Sequence, residues 1–128
     1  MRRFLRDTGG AAALEFGLAF LPFITLVLGV LQVGYLLWID NLLHYAVEEA
    51  ARCSAVGSTT YPCAGSGASN MVTTADSLLG MAVASIPQGT FGANSACTGS
   101  GLTGRYTITF LLAKSVTVNA SSCYPNYS

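Results

Sequence analysis

The sequence predicts a membrane-anchored α+β protein: a long N-terminal transmembrane helix that continues into a small domain with a second helix and an antiparallel β-hairpin. Three observations lead there. Residues 16–38 carry no charged side chain, two stretches beyond residue 39 repeat their apolar positions at helical spacing, and residues 105–120 alternate apolar with polar side chains. Composition agrees. The 128 residues are 52% hydrophobic and only 9% charged, against roughly 25% charged in an ordinary soluble domain. The apolar excess is concentrated in the first third of the chain.

At about 1.5 Å per residue, a helix over residues 16–38 is about 35 Å long, enough to cross a hydrocarbon core of about 30 Å with some tilt. Arg2, Arg3 and Arg6 precede it and Asp40 follows it. That arginine excess sets the N-terminus in the cytoplasm and the remainder outside. Tyr35 and Trp38 fall at the level of an outer aromatic belt. An ordinary secretory signal does not fit: the apolar run is too long, and no A-x-A site follows it. Within the span, Ala13 and Gly17 have the small-x-x-x-small spacing that lets helices approach closely in lipid. Pro22, lacking a backbone donor, is expected to kink the helix. The six basic and six acidic residues balance, so no basic excess points to a nucleic-acid partner, whereas membrane lipid is a necessary one.

The helix is expected to run on to about Ala55. Leu42, Leu43, Ala46, Val47, Ala50, Ala51 and Ser54 recur on one face. His44, Glu48 and Arg52 follow at i, i+4 on another, with Glu48 placed to pair with Arg52. Gly57 supplies a stop. Residues 57–69 form a Gly/Ser/Thr loop. Met71, Ala75, Leu78, Leu79, Ala82, Val83 and Ile86 then match a second helix, capped by Ser69 or Asn70 and ended by Pro87-Gln88-Gly89. Residues 89–104 are Gly-rich and read as turns. Two strands follow: Tyr106, Ile108, Phe110 and Leu112 share one face, and so do Val116, Val118 and Ala120. The turn near Ala113-Lys114 has no diagnostic dipeptide. The last eight residues are expected to be tied back only through Cys123.

Four cysteines, Cys53, Cys63, Cys97 and Cys123, all lie on the outer side. An even number in an oxidising compartment points to two disulfides. Three connectivities exist; Cys53–Cys63 with Cys97–Cys123 is preferred because it closes two local, non-overlapping loops. So small a domain has a marginal core, which disulfides would support. No C-x-x-C pair occurs and His44 is the sole histidine, so neither a metal site nor a cofactor is expected. No nucleophile elbow, phosphate loop or paired carboxylates appear, and Glu48-Glu49 reads as a solvated helix face. Enzyme activity is not expected.

The run Gly10-Ala11-Ala12-Ala13-Leu14-Glu15-Phe16, continued by Leu21-Pro22, Gly29 and Gly34, resembles the N-terminal region of TadE-like proteins (the TadE/TadF family). These are minor pilins, or pseudopilins, of the tight-adherence (Flp) pilus. The later Ala46-Val47-Glu48-Glu49-Ala50-Ala51-Arg52 resembles the Ala-rich, Arg-containing helix end of that family. The likeness covers roughly residues 9–57. It implies a prepilin-type leader over residues 1–10, a transmembrane helix over 11–39 and a disulfide-stabilised periplasmic domain over 40–128. It also implies cleavage between Gly10 and Ala11 by a prepilin peptidase, a membrane aspartic protease. Glu15 and Phe16 would then stand at positions five and six of the mature chain. There the carboxylate could pair with the new α-amine of its own or a neighbouring subunit and set axial register. The implied partners are that peptidase, pilus subunits and the inner-membrane assembly platform. The implied location is the bacterial inner membrane, single-pass, with the N-terminus cytoplasmic. The alternative is an uncleaved single-span anchor presenting a small periplasmic binding domain.

Overall fold

The computed structural model describes residues 8–82, 91–109 and 115–125. Five elements follow in order: helix α1 (Thr8–Val56), helix α2 (Ala68–Ala82), and strands β1 (Phe91–Ala93), β2 (Ser100–Ile108) and β3 (Val116–Tyr124). The chain divides into two compact units, Met1–Tyr35 and Leu36–Ser128.

In the first unit the only described element is the N-terminal part of α1. Leu14, Phe16, Leu18, Leu21, Leu26, Val30 and Leu31 are all exposed. A helix that shows large apolar side chains around its circumference is a helix whose solvent is lipid. By length and composition α1 can cross a membrane. Pro22 does not interrupt it. The Thr25 hydroxyl donates to the Pro22 carbonyl three residues back at 2.8 Å, a common local bond of threonine in a helix; the carbonyl that Pro22 leaves without its N–H donor is that of Leu18.

In the second unit the apolar stripe read from the sequence is the buried one. Leu43, Ala46, Val47, Ala50 and Ala51 are buried, and Leu42 packs partly against them. The core starts before Asp40: Ile39 is 1% exposed, and Leu36 packs against the same cluster. The helix ends as its glycine requires. Gly57 has φ +66°, its N–H bonds the Ser54 carbonyl at 3.2 Å, and the Ser58 N–H bonds the Cys53 carbonyl at 3.1 Å. This is a Schellman motif with Gly57 at C′.

The second helix starts earlier than its expected caps. Ser69 and Asn70 lie inside its first turn, and Gly67 takes the cap position, its carbonyl accepting the Met71 N–H at 3.0 Å. Glycine is acceptable there, and Gly67 has φ +114°. Met71, Ala75, Leu78 and Leu79 are buried as their spacing predicts. Val83, Ile86 and Pro87-Gln88-Gly89 lie outside the described residues.

The expected hairpin is present but belongs to a three-stranded antiparallel sheet of order β1-β2-β3. Gly104 pairs with Ala120, Tyr106 with Val118 and Ile108 with Val116. Leu102, Ile108, Val118 and Ala120 face the core, while Val116 is 39% exposed. Thr103, Arg105, Thr107, Thr117, Asn119 and Ser121 alternate outward; the Arg105 Nε donates to Asn119 Oδ1 at 3.0 Å, and the Thr107 and Thr117 hydroxyls meet at 3.0 Å. Phe110, Leu112 and the Ala113-Lys114 turn lie outside the described residues.

Two expectations are corrected here. The Gly-rich stretch read as turns contains β1 and the first half of β2. The tail is held by more than Cys123, since Ser121–Tyr124 pair with residues 100–103. Both errors have one cause. Gly101 and Gly104 stand where a side chain would collide: a Cβ on Gly101 would fall 2.5 Å from the Cys97 Cβ, and one on Gly104 2.9 Å from Phe91 Cε1. Glycine in this strand serves close approach rather than turning.

Candidate functional site

Two places carry the residues singled out by the sequence. The first is the membrane-proximal start of α1. Gly10 lies in its first turn, where the backbone N–H groups have no intrahelical acceptors. Ala13, Leu14, Glu15, Phe16 and Gly17 are all exposed. Phe16 and Phe20 stack one turn apart, ring centroids 5.5 Å from each other. No ion pair joins the Glu15 carboxylate to another described residue. Arg2, Arg3 and Arg6 lie outside the described residues. The segment therefore presents one carboxylate at the edge of an otherwise apolar surface, where an unpaired charge is costly.

The second is the corner where α1 ends. Cys53, in the last turn of α1, bonds Cys63 in the following loop; Cys97, between β1 and β2, bonds Cys123 on β3. This is the local, non-overlapping pairing. The Cys97–Cys123 bridge crosses over Gly101, whose register partner is Cys123, and this explains the absence of a side chain there. Two buried hydroxyls complete the corner. Ser54 Oγ accepts the Gly67 N–H at 3.2 Å, and Thr74 Oγ1 accepts the Ala64 N–H at 3.0 Å while donating to the Asn70 carbonyl at 2.9 Å. The 57–67 loop is thus tied to both helices. The role of Thr74 was not read from the sequence, although its position three residues after Met71 places it on the buried face of α2.

A groove of about 560 Å³ opens here among Ser54, Gly57, Gly67, Met71, Asn94 and Gly101, and no charged side chain lines it. On the neighbouring stretch of α1 the charged groups are exposed or half-buried. Arg52 pairs with Glu49, three residues earlier, at 4.0 Å and not with Glu48 as its spacing predicts, and His44 Nε2 lies 4.0 Å from Asp40 Oδ1. Both pairs lie at the surface at the limit of ion-pair distance and contribute little to stability. Glu49 also approaches Cys53 and Cys63, with one ligand atom from each within 4.8 Å of the others. Both sulfurs are committed to the disulfide, so the trio offers no thiolate to a metal.

The residues from Gly10 through the apolar span to the Arg-bearing helix end therefore form one continuous helical segment. Residues 10–52 match the family model of TadE-like proteins. Over this part the chain is TadE-like. The match includes Glu15, Pro22 and the whole apolar span, and stops one residue before the first disulfide cysteine. The α2–β1–β2–β3 portion lies outside it. No curated protein and no solved structure matches the chain.

Proposed function

We propose that this TadE-like protein is a minor pilin or pilus-assembly protein of a tight-adherence pilus, acting in pilus biogenesis and surface attachment. The observation that carries the reading is the family match over residues 10–52, because it joins the Gly10–Phe16 junction to the membrane span as one unit. In this reading residues 1–10 are a prepilin-type leader, Arg2, Arg3 and Arg6 hold the N-terminus in the cytoplasm, and residues 40–128 work in the periplasm. A prepilin peptidase cuts between Gly10 and Ala11. A protease binds its substrate extended, so the first turn of α1 must unwind. The Gly9-Gly10 pair lowers that cost, since glycine is a poor helix former.

Cleavage creates an α-amine on Ala11. Glu15, one turn further on, can pair with that amine in its own chain or in a neighbour. The pairing offsets the cost of holding either charge beside lipid and fixes axial register against pilus subunits or the inner-membrane assembly platform. Phe16 then leads the apolar helix into the bilayer, and Ala13, Gly17 and Pro22 allow close helix approach there.

The test is Glu15→Leu. It should leave membrane insertion intact and abolish pilus formation and adherence. Normal pili and adherence in that variant would overturn the role given to the carboxylate.

A further inference from the structure

The span has a second polar feature that the Glu15 reading does not use. At 100° per residue, Glu15, Leu18, Pro22, Thr25, Gly29 and Gln32 fall within an arc of about 100° on α1. Their spacing alternates three and four residues, the pattern of a helix-packing seam. Around the rest of the circumference, from Phe16 to Gly34, the chain has only apolar side chains and glycine. Ala13 and Gly17 lie off this stripe. Thr25 and Gln32, the hydrogen-bonding side chains between Phe16 and Gly34, are therefore on one side, whereas Tyr35 and Trp38, in the aromatic belt at the outer end of the span, lie off the stripe.

Within the stripe, Gln32 is the group without provision. It lies five residues from the centre of the apolar run, about 7–8 Å from the midplane, well inside a half-thickness of about 15 Å. Its side chain is too short to snorkel to the interface as Lys or Arg does. The Thr25 proton is already donated within the helix. Asn41, a similar amide beyond the span, donates to the Leu37 carbonyl one turn back at 2.7 Å. No such bond joins the Gln32 amide to another described residue. Facing lipid, it would leave two donors and an acceptor unmet.

We infer that this stripe is the contact face for a second copy of the same chain, joined through reciprocal Gln32 hydrogen bonds. The occupant follows from the chemistry of the amide. It carries donor and acceptor together, so it is complementary to itself. Copies inserted in the same direction hold Gln32 at one depth, and a parallel pair about a two-fold axis sets the two amides opposite each other. Gly29, one turn below, has nothing within 4 Å of where its Cβ would lie, so backbones can approach there. Glu15, at the far end of the stripe, would meet its own copy as a like charge, which concentrates the contact in the Thr25–Gln32 half. The inference needs only the membrane span, not leader cleavage or a pilus.

The test uses the full chain in phosphatidylcholine–phosphatidylglycerol vesicles, with donor- and acceptor-labelled copies at varied protein-to-lipid ratio. Energy transfer should rise with that ratio and be diluted out by unlabelled chain. Gln32→Leu, which can only favour insertion, should raise the dissociation constant roughly 3- to 15-fold. Gln32→Asn should restore most of the association, and Val30→Leu, off the stripe, should leave it unchanged. Transfer no greater than random proximity, or equal association in Gln32→Leu, would overturn the inference. So would a photo-crosslinker at position 29 that, in native membranes, traps a different chain and no second copy.

Discussion

Gly104 of β2 lies so close to Leu43 of α1 that a Cβ on Gly104 would stand 3.0 Å from Leu43 Cδ1. The same carbon would stand 2.9 Å from Phe91 Cε1 and 3.0 Å from Val47 Cγ2. Sheet and helix meet across a bare backbone, and three side chains close over it. Gly104→Ala would crowd all three at once. Val47, β-branched and on a helix, has little rotamer freedom with which to yield. The substitution should cost about 1–3 kcal/mol, seen as a lower urea midpoint for the domain of the full chain in detergent. An unchanged midpoint would mean that the contact is looser than the distances indicate.

The two disulfides close loops of different length, with sequence separations of 10 and 26. Chain entropy assigns about 2.7 kcal/mol to the shorter and about 3.5 kcal/mol to the longer. Replacing Cys97 and Cys123 together by Ala should therefore destabilise the domain more than replacing Cys53 and Cys63. The Cys97–Cys123 pair also holds the last four residues of β3 against β2. Proteolysis without reductant should cut the first double variant faster near its C-terminal end. Equal resistance in the two double variants would contradict this ordering.

Asp76 on α2 is half-buried, and that burial raises its carboxyl pKa above the ordinary aspartate value. The folded chain thus holds this proton to higher pH than the unfolded chain does. The contribution of the group to stability falls as pH rises from the unfolded value through the folded one, and is constant above. Asp76→Asn removes the buried charge. It should melt above the native protein at pH 7, with the gap closing below about pH 4. A lower melting temperature for the variant at pH 7 would show that the Asp76 charge is favourable.

The sequence made much of this fold legible because its signals were local. The apolar run declared the span, and the 3.6-residue stripe from Leu42 to Ser54 declared the buried face of α1. The alternation through Tyr106 and Ile108 and through Val118 and Ala120 declared the hairpin. The misreadings came where a distant partner dictates the residue. Gly101 is glycine because a disulfide passes over it, and Gly104 because a helix does, yet in the sequence both look like turn residues. Arg52 reaches Glu49 and not Glu48 because i+3 and i+4 neighbours compete on an exposed face. Thr74 stood on the buried face of α2, but its bond to the Ala64 N–H depends on the path of the loop, which no local pattern encodes.

At the start of α1 the proposed function depends on cleavage between Gly10 and Ala11. Intact-mass spectrometry of the protein extracted from its native membrane reads this directly. The expected species is a chain that begins at Ala11, with both disulfides formed and Glu15 as its fifth residue. A chain that keeps Met1 through Gly10 would overturn this reading and leave a small domain tethered by an uncleaved membrane helix.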